Sequence, residues 1–586
     1  MNKIKFLNWC TIISAACFSV LNLSFHADIS ILAFPLSVVF TACIAYFSLV
    51  PLFKNDNPAF IPLVRKIIQY EPYAFIAVFI IRRAGVDGTS FRLDLFTVLF
   101  WLILTVSSFI LQYYFSDKRI YTFSNTWTEY HKNYKKPVHS GTGFRTVVVR
   151  TAAEIFEWVD ALLQAVFMVT LLQIFFFQLY QIPSESMVPE FLIKDRVVVV
   201  KSFSGPKFPL SEVGFPYLKS YKRGNIVVFR NPHYVIDRKS EIKTFFSQLV
   251  YMLSFTTINL NVDAEGNPKA DPLVKRVAGV PGEQLVMQDG ILYARTKGSS
   301  DFKPVEYDSQ KAAWTLNLQP QNIKSKIQYL PLDQNQYDSM LECEKLRRDL
   351  DLQKAASECN RIARDFASYA RRIAGSAAND KDAAKEFFNK SELFEYRLFA
   401  ENVAVTQKLL SAAGGAEWFS NFMTDWIPLM PVSGDIYSVA NFRLNLMIKL
   451  CVGRMVLRNA ELMLSETLSV EEKNNDSKRI AYLKEAEMLH SYIMLLDRRN
   501  MPVFPANNAD GTANYIPANC YFMMGDNRFN SLDMRHSYDE TLVPLTKYDK
   551  YSVTYYSNMA PQYVNRRYIL GTTSFRFWPL TRIKKL

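Results

Sequence analysis

The sequence predicts a multi-span α-helical membrane region followed by a mostly-β domain, which a large α-helical insertion interrupts. Three observations lead there. Apolar runs of membrane length crowd the first 180 residues. After Pro189, short β-branched runs bounded by turns take over. Between about 335 and 500, apolar residues recur at alternating steps of three and four. The expected divisions are a membrane region with a basic loop at 1–157, a last transmembrane helix at 158–181, a β-domain in two parts at 182–334 and 501–586, and a helical insertion at 335–500.

Apolar runs lie near 7–25, 29–53, 70–82, 95–115 and 158–180. A span takes about 20 apolar residues; the first run is borderline and the third is short. The first follows Lys3 and Lys5 and has the look of a signal peptide. A second run follows almost at once, which favours an uncleaved hairpin. The chain carries a net charge of +13, but no groove-reading motif or dense basic stripe points to nucleic acid. Much of the excess (Lys118, Arg119, Lys132, Lys135, Lys136, Arg145 and Arg150) sits between Ser116 and Trp158. Such a loop reads as cytoplasmic. With the N-terminus also inside, an even number of crossings precedes it, giving five spans in all and an outward exit for the last. Arg82, Arg83 and Arg92 would then lie outside, against the charge rule.

Beyond Pro189, Val197–Val200 and Ile226–Phe229 read as strands. Leu285–Met287 and Ile291–Tyr293 flank Asp289-Gly290, a hairpin signal. Phe245 to Phe255 form an apolar stretch too short to span, suited to the membrane interface or to a core. In the insertion, Cys359, Ile362, Phe366, Tyr369 and Ile373 mark one amphipathic helix, and Leu444, Ile448, Cys451, Met455 and Leu462 a second. Further helical patterns run through 381–412 and 470–497. The seven cysteines show no metal-ligand spacing. Cys10, Cys17 and Cys43 read as buried thiols; a disulfide among Cys343, Cys359, Cys451 and Cys520 stays open. The six histidines are scattered and suggest no metal site.

The chemistry concentrates where the last apolar run ends. Ile182-Pro183-Ser184-Glu185-Ser186-Met187-Val188-Pro189 puts a serine at the outlet of a span, and Lys275-Arg276-Val277-Ala278-Gly279-Val280-Pro281-Gly282 follows about 90 residues later. Pro272-Leu273-Val274 and Val277-Ala278 give Lys275 apolar chain neighbours. Desolvation disfavours an ammonium, and a neutral amine can take a serine proton. A surface serine in a Pro-rich turn and a solvated strand lysine are the bland alternatives.

With Arg223–Phe229, Gly525–Arg535 and Phe575–Ile583, these blocks resemble the bacterial type I signal peptidases, membrane-bound Ser-Lys serine proteases that remove signal peptides from exported proteins. The likeness covers roughly 158–295 and 515–583. It implies a catalytic β-domain of signal-peptidase type, with Ser186 as nucleophile and Lys275 as general base. Ser184 would complete an oxyanion hole with the Ser186 N–H. Ser531 would orient the lysine, Asp526 would pair with Arg276, and Asp533 with Arg535 would form a supporting salt bridge. The implied partners are exported preproteins and membrane lipid, with no metal or cofactor. The implied location is the bacterial plasma membrane, multi-pass, with the catalytic domain extracytoplasmic.

His536 raises a Ser-His alternative, like that of the endoplasmic-reticulum signal peptidases. A self-cleaving repressor-type protease shares a similar β-domain, but the spans argue against it. A receptor or assembly factor on a degenerate peptidase fold is the non-enzymatic rival. Departures from the family pattern are Glu185, Glu190-Phe191, Asn225 and Phe529.

Overall fold

The computed structural model describes residues 2–133, 144–234, 237–254, 258, 260–262, 269–374, 388–430 and 434–586. Among the described residues, five long helices precede the β-domain: α1 (Asn2–Leu21), α2 (Ala33–Phe47), α3 (Ile61–Arg83), α4 (Phe91–Tyr114) and α5 (Phe144–Phe175). Polar pairs between them fix their directions. Asn8 donates to Ser48 at 2.9 Å and Ser19 meets Thr41 at 3.3 Å, so α1 and α2 are antiparallel. Ser108 donates to Glu71 at 2.5 Å, and the Arg83 guanidinium reaches Asp94 at 2.8 Å, so α3 and α4 are antiparallel too. Lys66 meets Asp160, Gln69 meets Gln164, and Tyr73 stacks on Phe167, so α3 and α5 are parallel. Arg83 at the end of α3 also reaches Asn22 just past α1. Thus α1, α3 and α5 run one way, α2 and α4 the other.

Among the described residues, four segments are long and apolar enough to cross a membrane: Asn2–Leu21, Ile29–Lys54, Phe91–Tyr114 and Glu154–Phe175. The third apolar run belongs to a helix of 23 residues, α3, whose apolar character Arg65, Lys66, Glu71, Arg82 and Arg83 dilute. Two of those charges face inward: Glu71 and Arg83 are fully buried. Arg83, expected to break the charge rule, is neutralised by Asp94.

The β-domain is built on an antiparallel sheet in the order β1 (Phe177–Gln181), β2 (Arg196–Val200), β11 (Ile569–Trp578), β3 (Ile226–Phe229), β4 (Leu273–Gly279), β8 (Cys520–Met524), with two-residue strands at 564–565 and 584–585. Between β3 and β4, Arg238–Leu253 forms helix α6. A second sheet contains β5 (Glu283–Gln288), β6 (Ile291–Thr296) and β7 (Met501–Phe504). The β5–β6 turn puts Asp289 at φ 54° and Gly290 at φ 78°, the left-handed pair that a two-residue hairpin requires. A third ribbon pairs β9 (His536–Pro544) with β10 (Thr554–Met559).

The insertion is helical: α7 (Gln334–Asp349), α8 (Leu352–Ala374), α9 (Asn402–Ser411), α10 (Gly415–Thr424), α11 (Ile436–Leu464) and α12 (Ser477–Ile493). Cys359, Ile362 and Phe366 are fully buried on α8, while Ile373 at its end is exposed. The β9–β10 ribbon shares this core through Tyr551, Val553 and Tyr555. Buried Lys449 of α11 lies 2.5 Å from Asp549 in the ribbon's turn. The helices and the β-domain are therefore one packed body.

All seven cysteines are free, so the disulfide left open does not form. Cys343, Cys359 and Cys451 are buried in the helical core instead. Cys10, Cys17 and Cys43 are only half-buried, a departure from the buried thiols expected. Residues 381–387 and Phe255, which carried part of the expected helical and apolar patterns, lie outside the described residues.

Candidate active site

Strand register brings the two key residues together. β1 ends at Gln181, and residues 182–189 turn back toward β2. β4 lies between β3 and β8, pairing Lys275 with Val227 and Arg276 with Met524. Successive strand residues face opposite ways, so Lys275 and Arg276 serve different faces. Lys275 Nζ lies 2.6 Å from Ser186 Oγ. Both residues are buried, at 3% and 9% exposure. Desolvation lowers the Lys275 ammonium to about 8, against opposing pulls from Asp533 and Asp526. A shift of that size is what converts a lysine into a base near neutral pH.

The second face anchors the strand. Arg276 donates to both carboxylate oxygens of Asp526, at 2.8 and 2.6 Å. The Gly525–Arg535 block then wraps under Ser186. Asn527 donates its backbone N–H to Ser186 O at 3.1 Å and its side-chain amide to Glu185 O at 3.1 Å. Gly525 donates to Asp533 at 2.9 Å, and Arg535 grips the same carboxylate at 2.8 and 3.0 Å. Burial alone would raise the Asp533 carboxyl; Arg535 outweighs it and holds that group far below the usual range. A Cβ on Gly525 would stand 2.1 Å from Ser531 Oγ and 2.6 Å from Ser186 O, so the close approach excludes any side chain.

Ser184 is exposed at the same turn, its hydroxyl donating to Ser186 Oγ at 3.4 Å. Ser531 is buried against Gly525, yet its Oγ has no hydrogen-bond partner; the expected bond to Lys275 is not formed, the lysine being turned to Ser186. His536 is fully buried, with Nε2 on Asp497 O at 3.0 Å and Nδ1 3.9 Å from Asp533. Burial, helped by Arg535, pushes its imidazole down to about 3. The partner of Ser186 is Lys275, and the Ser-His alternative has no geometric support.

The departures from the family pattern have physical counterparts. The buried Glu185 carboxylate accepts the backbone N–H of Gln328 at 2.5 Å and of Tyr329 at 3.2 Å, tying that segment to the serine turn. Glu190 pairs with Lys584 at 2.9 Å and lies 3.7 Å from Arg276. Asn225 accepts from Lys222 N at 3.0 Å and caps a turn. Phe529 packs edge-on to Trp314 and joins the helical core, so an apolar residue replaces an acid where the insertion docks. The roles of Asn527, Gly525 and Glu185 were not read from sequence, although all three stood inside quoted blocks. Among the described residues, no cluster of His, Cys, Asp and Glu could hold a metal ion.

Apolar helices lead into a curled antiparallel β-domain that holds a serine hydroxyl against an enclosed lysine amine. A family model described as "Signal peptidase, peptidase S26" matches residues 155–345 and 459–578, more than half of the chain. The chain belongs to that family. It is 23% identical over 176 residues to "Signal peptidase I" of Haemophilus influenzae, covering 30% of this chain and 48% of that protein. It is 33% identical over 91 residues to "Signal peptidase I" of Buchnera aphidicola subsp. Schizaphis graminum, covering 16% of this chain and 29% of that protein. The chain spans less than half the length of these curated relatives.

Proposed function

We propose that this chain is a membrane-bound serine endopeptidase that removes signal peptides from exported preproteins. The observation that carries the reading is the 2.6 Å contact between Lys275 Nζ and Ser186 Oγ in a buried setting. In the resting state an ammonium donates to the hydroxyl; once neutral, the amine accepts the hydroxyl proton instead. Ser186 Oγ attacks the scissile carbonyl carbon, and Lys275 takes the proton. The carbonyl oxygen gathers negative charge, which the Ser184 hydroxyl and the Ser186 N–H are suited to stabilise. Collapse breaks the C–N bond, and Lys275 returns its proton to the leaving amine. Water, deprotonated by the same lysine, then hydrolyses the ester and frees Ser186. Asp526, Arg276, Asp533 and Arg535 act by holding the lysine strand and the serine turn in place, and Ser531 fills the space against Gly525 beneath that turn.

The parallel run of α1, α3 and α5 favours five crossings, with Arg83 of α3 held in a buried pair with Asp94. With the basic loop inside, the β-domain faces the outer side of a bacterial plasma membrane. Cleavage of a model preprotein in detergent by wild type, Ser186→Ala and Lys275→Ala tests the mechanism. Both substitutions should abolish processing; activity surviving both defeats the reading.

A further inference from the structure

A cavity of about 210 Å³ opens where α5 ends, outside the site just described. Gln173 and Ile174 of α5, Lys201, Lys207, Phe245 of α6 and Arg567 line it, and among the described residues no carboxylate does. Lys201 Nζ donates to Gln173 O at 3.1 Å and Gln178 Oε1 at 3.3 Å, both neutral acceptors. Desolvation lowers its ammonium to about 8. Lys207 pairs with the exposed Glu212 and feels Glu241 from α6, and Arg567 donates to the Tyr568 hydroxyl. The Ser204 hydroxyl at the cavity wall is buried without a partner.

A desolvated cation with no counter-charge is costly, and an anion in contact would relieve it. The level of the cavity indicates which anion. Lys201 N donates to Phe176 O at 2.8 Å, one residue past α5, and Phe177 pairs with Val200. The cations therefore lie where the span leaves the hydrocarbon and meets the headgroup layer. Ile174, Phe245, Ile569 and Leu570 add apolar wall suited to an acyl chain. This also gives a place to the apolar stretch on α6: Phe245 borders the cavity while Phe246 is exposed.

We propose that this cavity binds the phosphate of an anionic phospholipid, held by Lys201, Lys207 and Arg567, with its chains along Ile174 and Phe245. The test is native mass spectrometry of the full chain in non-ionic detergent, titrated with phosphatidylglycerol, phosphatidylcholine or inorganic phosphate. Wild type should retain one phosphatidylglycerol in preference to phosphatidylcholine. Lys201→Met and Arg567→Gln should each weaken that binding by roughly five- to tenfold, and Lys201→Arg should preserve it. Arg567 is exposed, so its variant separates lost binding from lost folding. Equal phosphatidylglycerol binding by wild type and both neutral variants, no preference over phosphatidylcholine, or full competition by inorganic phosphate would each overturn the proposal.

Discussion

The acidic limb of the pH–rate profile tests the buried lysine most directly. With its ammonium lowered to about 8, Lys275 is roughly 10% neutral near pH 7 and roughly 90% neutral near pH 9. If the neutral amine is the working form, kcat/KM for a preprotein should rise about tenfold over that interval and level off above it. A solvated lysine titrating near 10.4 would instead give a rise of about a hundredfold, still climbing at the upper end. The two outcomes differ in both height and curvature. The assay is initial-rate cleavage of one preprotein across buffers of constant ionic strength, with circular dichroism at each pH to exclude unfolding. A rise that keeps its tenfold-per-unit slope beyond pH 9 would refute the desolvation argument. The same shift has a stability corollary. Between about pH 8 and about pH 10.5 the unfolded chain holds a proton on this lysine that the folded chain has released, so Lys275 makes stability rise with pH there. Ser186→Ala should show this rise, and it should be diminished in Ser186→Ala/Lys275→Met.

Gly525→Ala forces a Cβ into Ser531 and the Ser186 carbonyl; kcat/KM should fall by about a hundredfold, with stability down by about 1–3 kcal/mol, and near-normal kinetics beside a normal melt would contradict the close-approach argument. Glu185→Ala removes the acceptor of two backbone N–H groups, which should cost about 1–3 kcal/mol and speed amide exchange at Gln328 and Tyr329; unchanged exchange there would show that the carboxylate does not hold the segment. Lys449→Met strands Asp549 in the core, and urea melts should lose about 3–5 kcal/mol. Lys449→Met/Asp549→Leu should recover much of that loss, and a double variant no better than the single would argue against the pair.

Local pattern carried the reading wherever neighbours in sequence decide structure. The span that becomes α5, the Asp289-Gly290 turn and the α8 stripe through Cys359, Ile362 and Phe366 all rest on spacing alone. The serine and lysine were picked out by the likeness of several ordered blocks to one family, with the outlet position of Ser186 and the apolar chain neighbours of Lys275 in support. What stayed hidden is tertiary. The full length of α3 was masked by Glu71 and Arg83, whose partners Ser108 and Asp94 lie on another helix. The continuity of the insertion with the β9–β10 ribbon depends on Lys449 meeting a carboxylate 100 residues away. Ser531, assigned a lysine-orienting part by likeness, forms no such bond, because its hydroxyl is packed against Gly525.

One contact outside the catalytic blocks shows how membrane and β-domain are joined. A single strand, β1, links α5 to the sheet, and such a tether alone would let the domain swing. The loop between β2 and β3 prevents this by sending Phe208 into the helix bundle, against Phe79, Trp101 and Phe175. Ser211 of the same loop donates to Asp94 at 2.5 Å, the carboxylate that also neutralises Arg83. Arg83 is therefore part of the joint: it stays buried because Asp94 is there, and Asp94 in turn receives the loop. Held at two points, the β-domain keeps a set position on the helix bundle.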